Sequence, residues 1–183
     1  MDNDQYPLGL YNVSVSYMKF LHGIDKRVQY SEAKDYSYKP FWGPLSLYGE
    51  KYFVPLSSAK NKHISMDYEG DMHFLIHETI SKTDKTSSDI IKEYSGDDLE
   101  KILAILHINN MIPVPDGYYI PITAYNPLLQ KEYQFCLNIH TLIIEKAENI
   151  YSGKIKNDWT EKLCCDFVNL ENAKNKYHFY NNK

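Results

Sequence analysis

The chain has 183 residues and a net charge of −4, with 43% of its residues hydrophobic and 14% aromatic, which excludes a disordered chain and suits one domain with its own core. The acidic balance excludes indiscriminate nucleic-acid binding, and three cysteines, two of them adjacent at Cys164 and Cys165, make no disulfide framework. No apolar run approaches the roughly 18 residues of a membrane span, so a soluble, cytoplasmic protein is expected.

Leu10 to Val15 alternates as a first strand, after which Ser14 or Ser16 caps a short helix carrying Tyr17, Met18, Phe20 and Leu21 and ended by Gly23. Residues 25–39 read as a polar loop with Tyr30, Tyr36 and Tyr38. Phe41–Tyr48 and Lys51–Leu56 flank Gly49-Glu50 as a hairpin. In its second strand Tyr52, Val54 and Leu56 alternate, with Phe53 on the other face. Pro55 has no N–H for a ladder and points to an edge or terminal position. That strand runs straight into Ser57-Ser58-Ala59-Lys60-Asn61-Lys62-His63, which sets two hydroxyls, two ammonium groups and an imidazole where a rigid sheet gives way to a loop. A solvated loop has the same composition; a phosphate site needs it.

Met72–His77 reads as another strand, and residues 78–100 as an acidic insertion with a short helix over Ile90–Tyr94. Ile102–Ile112 is a buried strand ending in the turn Pro113-Val114-Pro115-Asp116-Gly117, and Tyr118–Ile122 is the last strand. From Pro127, the spacing of Leu128, Leu129, Tyr133, Cys136, Leu137, Ile139, His140, Ile143 and Ile144 fits one long amphipathic helix to about Tyr151, closed by Gly153. A final helix runs from about Asp166 to Tyr177. The class is α+β: a single domain over residues 1–183 whose strongly twisted, antiparallel, barrel-like sheet is flanked by helices.

Charge is unevenly spread. Residues 17–63 carry a net +4, with His22 and His63 besides, whereas residues 64–100 carry a net −7, so a local anion site fits on an acidic protein. No glycine-rich phosphate loop, Cys-x-x-Cys pair or His-Glu-x-x-His is present, which counts against nucleotide hydrolases and zinc enzymes; no cofactor and no metal are expected. His73, His77 and His107 lie on or near apolar strands and read as structural, and Trp42 reads as core.

Several segments, in order, carry a resemblance. They are Tyr17-Met18-Lys19-Phe20-Leu21 with Asp25-Lys26-Arg27-Val28, Lys39-Pro40-Phe41-Trp42-Gly43, and Pro55-Leu56-Ser57-Ser58-Ala59-Lys60. Further on come Asn109-Asn110-Met111-Ile112-Pro113-Val114, Leu128-Leu129-Gln130-Lys131-Glu132 and Cys164-Cys165-Asp166-Phe167. Together they resemble the toxins of type III toxin–antitoxin systems, the ToxN and AbiQ family of endoribonucleases. Residues 78–100 are longer and more acidic than the corresponding family loop, and the tyrosines of residues 30–38 align only with a shift. The resemblance implies a barrel-like sheet related in shape to the MazF and Kid toxins, and metal-independent RNA cleavage. It also implies inhibition by a repeated pseudoknot antitoxin RNA that bridges toxin copies into a homo-oligomeric assembly, and a role in phage defence by abortive infection.

RNA cleavage without a metal uses the ribose 2′-hydroxyl as nucleophile, so the protein must move two protons and stabilise the charge gathering on phosphorus. The family match assigns the ammonium role to Lys60, a phosphate hydrogen bond to Ser58 and an orienting role to Ser57. Tyr36 or Tyr38 would stack on a base or orient the nucleophile. Lys39, Lys62 and His63, then Lys26 and Arg27, are expected RNA contacts. The alternative is a non-catalytic RNA-binding or assembly module in which the same cations only hold phosphate.

Overall fold

The structure is a computed structural model describing residues 7–32, 34–37, 39–122, 129–155 and 157–181. Its centre is an eight-stranded antiparallel sheet: β1 (Gly9–Val13), β2 (Phe41–Leu47), β3 (Glu50–Ser58), β4 (His73–Ser81), β5 (Ile90–Ser95), β6 (Asp98–His107), β7 (Ile112–Pro113) and β8 (Tyr119–Pro121). The path β4-β6-β3-β2-β1-β8 leaves the sheet open among the described residues, rather than closed as a barrel. Five helices accompany it: α1 (Val15–Ile24), α2 (Gln130–Asn138), α3 (His140–Tyr151), α4 (Asp158–Leu163) and α5 (Phe167–Asn181). Among the described residues no helix is long and apolar enough to cross a membrane.

Two strands share their edges end to end. β3 gives one edge to β2 and divides the other between β7, at Tyr52 and Phe53, and β6, at Leu56 to Ser58. Pro55 falls in the gap between those two partners, inside a central strand and not at an edge or end, where its missing N–H leaves no ladder bond broken. β6 likewise pairs β4 along one edge and divides the other between β3 and β5. A bulge at Leu103 marks the handover, because Ile76 faces Ala104 while His77 already faces Ile102.

Several elements differ from the sequence reading. The β2–β3 turn is Tyr48-Gly49, one residue earlier than expected; both have positive φ, 50° and 87°, which suits a tight hairpin connection. β3 continues through Ser58, since β6 supplies partners beyond Leu56. Ile90–Tyr94 is strand, not helix: the β5–β6 hairpin closes at Gly96 (φ 59°), and pairing with β6 overrides a weak local preference. The run Ile102–Ile112 is not one strand but breaks at His107, turns through Ile108–Asn110 and resumes as β7. Gly23 lies inside α1, which ends one residue later. The single long helix is two, parted at Ile139 (φ −104°, ψ 15°); Pro127 and Leu128, its expected start, lie outside the described residues. α4 was not foreseen, although Asn157 caps it by accepting from the Trp159 and Thr160 N–H groups.

The main core lies between the sheet and helices α1, α2, α3 and α5, around Trp42, Tyr52, Phe53, Leu56, Leu106 and Ile143, each at most 2% exposed. A satellite core forms on the opposite face of the outer strands, from Leu75, Ile102 and Ile105 with Ala59, Met66, Tyr68 and Ile90 packed against them. The loop that follows Ser58 therefore folds back over that second face. Deep in the main fold, Asp25 accepts from Arg27 N–H, Nε and Nη2 at 2.8–2.9 Å and from the Asp166 N–H at 2.7 Å, tying the end of α1 to the start of α5.

Candidate active site

The end of β3 gathers most of the residues singled out. Ser57 faces Ile105 and Ser58 faces Ala104 across the ladder, and the backbone stays extended through Lys60 (φ −142°, ψ 158°). Successive strand residues point to opposite faces, so Ser58 and Lys60 share one face, about 7 Å apart along the chain, while Ser57 and Ala59 share the other. The packing of Ala59 against the satellite core agrees with that division. On the Ser58 side lies a cavity of about 110 Å³ lined by Lys39, Ser57, Ser58, Leu103 and Glu132 among others.

Lys60, Lys62 and Lys39 are exposed, and none of their ammonium groups has a hydrogen-bond or ion-pair partner among the described residues. Of the three, Lys39 lines the cavity with both serines, while Lys60 and Lys62 follow Ser58 in the chain outside that lining; an uncommitted cation can hold an anion without first breaking a bond to the protein. Among the described residues Glu132 is the one acid lining the cavity; burial, and then the neighbouring Glu78, raise its pKa above the usual value.

The other face is built differently. Ser57 Oγ lies 2.6 Å from His107 Nε2, a diagonal contact between strand neighbours. His73 stands directly across from His107 on β4. Burial, reinforced by His63, His73, Lys39 and Lys62, brings the His107 pKa down to about 4, so the ring is neutral at neutral pH. The sequence reading set His107 aside as structural. Its i+2 offset from Ile105, opposite Ser57, is the signal that would have found it, and it became readable only with the register. His63, an expected RNA contact, is buried at 4% exposure, and its Nδ1 accepts the Lys60 N–H at 2.9 Å, so its ring serves the turn.

Other expected residues lie elsewhere. Tyr36 bridges Ser14 at the start of α1 and makes no described contact with the Lys60 turn. Tyr38 lies outside the described residues. Arg27, an expected RNA contact, donates its fork to Asp25 and to the Glu161 carbonyl (3.0 Å), beside a separate cavity lined by Cys164, Cys165 and Asp166. Lys26, next in the chain, is exposed. His77 pairs with Glu100 at 2.9 Å and His73 Nε2 lies 2.9 Å from the Asp67 carbonyl; no three His, Cys, Asp or Glu side chains gather as a metal site among the described residues. Trp42 is core, as expected.

Residues 9–175 match the family described as Toxin ToxN, type III toxin–antitoxin system. The chain belongs to that family. It is 28% identical over 184 aligned positions to the Endoribonuclease ToxN of Bacillus thuringiensis subsp. kurstaki, covering 91% of this chain and 82% of that one. Two solved structures share its fold, each with 23% identity, 94% of this chain covered and 99% of the other. One, with a TM-score of 0.68, comes from work on selective toxin inhibition by a non-coding RNA pseudoknot; the other, at 0.67, is AbiQ, a lactococcal anti-phage endoribonuclease of a type III toxin–antitoxin system. The expected α+β class and ToxN/AbiQ kinship are thus both met.

Proposed function

We propose that this ToxN-family protein is a metal-independent endoribonuclease toxin. The ribose 2′-hydroxyl attacks the adjacent phosphorus as its proton is removed, the bond to the 5′-oxygen breaks, and that oxygen leaves with a proton. The products are a 2′,3′-cyclic phosphate and a 5′-hydroxyl. Lys60 opposes the negative charge growing on the non-bridging oxygens, Ser58 donates a hydrogen bond to the same phosphate, and Lys39 and Lys62 hold the flanking backbone. The observation that carries this reading is the placement of Ser58, at the end of a strand anchored in the core, and of Lys60, two residues on in extended backbone, with an ammonium that has no partner among the described residues.

Pseudoknot inhibition and anti-phage activity among the relatives support the biological setting, to which the proposal adds a repeated antitoxin RNA that bridges toxin copies and phage defence by abortive infection. The test is cleavage of RNA in EDTA with analysis of the ends. Wild type should give cyclic phosphate and 5′-hydroxyl termini. Lys60→Ala should lower kcat by about 10²- to 10³-fold, the usual consequence of removing one transition-state donor, with the melting temperature unchanged because Lys60 is exposed. Folded wild type that binds RNA and leaves it intact would replace the enzyme with a non-catalytic RNA-binding module.

A further inference from the structure

Behind the strand that carries Ser58 and Lys60 stand two imidazoles, and the inference drawn from them rests on the reading just given. His63 is the last residue of the turn Asn61–His63; its N–H donates to the Lys60 carbonyl at 2.9 Å while its ring Nδ1 accepts the Lys60 N–H at the same distance. A Glu or Gln at this third position ordinarily makes that return bond and closes a capping box. An imidazole does so only with Nδ1 unprotonated. His107 holds Ser57 Oγ at 2.6 Å on the same side of the strand.

We propose that His63 and His107 are positioning residues: His63 fixes the backbone at Lys60, His107 fixes the hydroxyl of Ser57, and together they set Ser58 and Lys60 at the spacing that grips one phosphate. Neither ring touches the substrate. The His63 clamp requires a neutral ring, and the surroundings supply that condition. Burial, then Lys62, Lys60 and His73, lower the His63 pKa, as burial with His63, His73, Lys39 and Lys62 lowers that of His107. From β5, Lys92 adds a further cation against the turn, bonded to the Ile64 and Met66 carbonyls. Protonating His63 would set N–H against N–H at the Lys60 bond, so acid releases the strand end while leaving the Lys60 charge in place.

The test compares His63→Gln with His63→Leu, and His107→Gln with His107→Leu, by kcat and KM across pH on a defined RNA in EDTA. A glutamine can remake either bond and does not titrate; leucine can do neither. His63→Leu should lose about 10- to 100-fold in kcat with little change in KM, the cost of a misplaced catalytic group. His63→Gln should recover most of that loss and shift the acid limb of the pH profile. Two readouts do not need cleavage. Nitrogen NMR of the ring should show an unprotonated Nδ1, and the Lys60 amide should exchange with solvent faster in His63→Leu than in His63→Gln. Equal kcat and equal Lys60 exchange in the two variants, or a ring protonated at Nδ1, overturns the proposal. Wild type that cuts no RNA would overturn the nuclease reading instead, with the NMR and exchange measurements still deciding the clamp.

Discussion

Replacing Lys92 by methionine tests how the outer hairpin braces the turn that holds Lys60. Lys92 is the bulged residue of β5, between the pairs Ile91–Lys101 and Glu93–Glu100, and the bulge turns its side chain off the ladder. Its Nζ donates to the Ile64 carbonyl at 3.0 Å and the Met66 carbonyl at 2.6 Å, and lies 4.9 Å from the Tyr68 ring centre. Charge-assisted bonds are worth roughly 1.5–3 kcal/mol each, and an exposed cation–π contact about 0.5–1 kcal/mol. Lys92 is half-exposed and water can reach both carbonyls once they are vacated, so about 2–3 kcal/mol is the local cost. Methionine keeps much of the stem's packing and removes the ammonium with its donors. At 1.4 kcal/mol per factor of ten, the bonded amides of His63, Ile64 and Met66 should exchange about 30- to 100-fold faster, while core amides such as Leu106 hold their rates. Hydrogen exchange read by NMR or mass spectrometry resolves this directly. Turn amides that keep wild-type rates would refute the brace and, with it, any mechanical link between the acidic hairpin and the site.

Two further outcomes concern carboxyls, Asp25 buried and Glu132 partly buried. Burial alone would raise the Asp25 pKa, but the Arg27 fork and the Asp166 N–H outweigh it and hold it below the usual carboxylate range. Asp25→Asn should therefore cost about 2–3 kcal/mol at pH 7, discounted because Arg27 is a third exposed, or roughly 4–12 °C in melting temperature. Asp25's contribution is present above the unfolded carboxylate pKa, so the gap between wild type and variant should close as pH falls through the depressed folded value; a gap independent of pH in thermal melts would contradict this. For Glu132 the sign reverses: its raised pKa makes ionisation costly in the fold, so Glu132→Gln should melt higher than wild type at pH 7 and lose that advantage below about pH 4.5. A variant less stable at neutral pH would mean that the ionised carboxylate has a partner.

The sequence was most legible where one period persisted. Alternation at Tyr52, Val54 and Leu56 located the strand, and the Ser57–Lys60 cluster at its exit is where the structure gathers exposed cations and hydroxyls. What stayed hidden depended on which strand lies beside which. His107 looked like any histidine ending an apolar run until the pairing of Ser57 with Ile105 put it on the diagonal. The short helix expected at Ile90–Tyr94 failed for the same reason, since five residues of mixed polarity take the conformation their neighbour imposes. Arg27 and His63 looked like free basic groups because charge in a sequence does not reveal a partner; Asp25 lies two residues away, but the Lys60 N–H is a backbone group that no side-chain pattern announces.

The division of one β6 edge between β3 and β5 separates two jobs along a single strand. Inward of Leu103 the register is locked by the main core and fixes the hydroxyls of Ser57 and Ser58; outward of it the hairpin rests on its own strands, the small satellite cluster, the Lys92 bonds to the Ile64 and Met66 carbonyls and the ion pair of Glu78 with Lys131 of α2. Residues gained or lost in the outer arm are therefore absorbed before they reach Ser58. Such a chain can change the length and charge of that arm without retuning its chemistry, provided Lys92 keeps its grip.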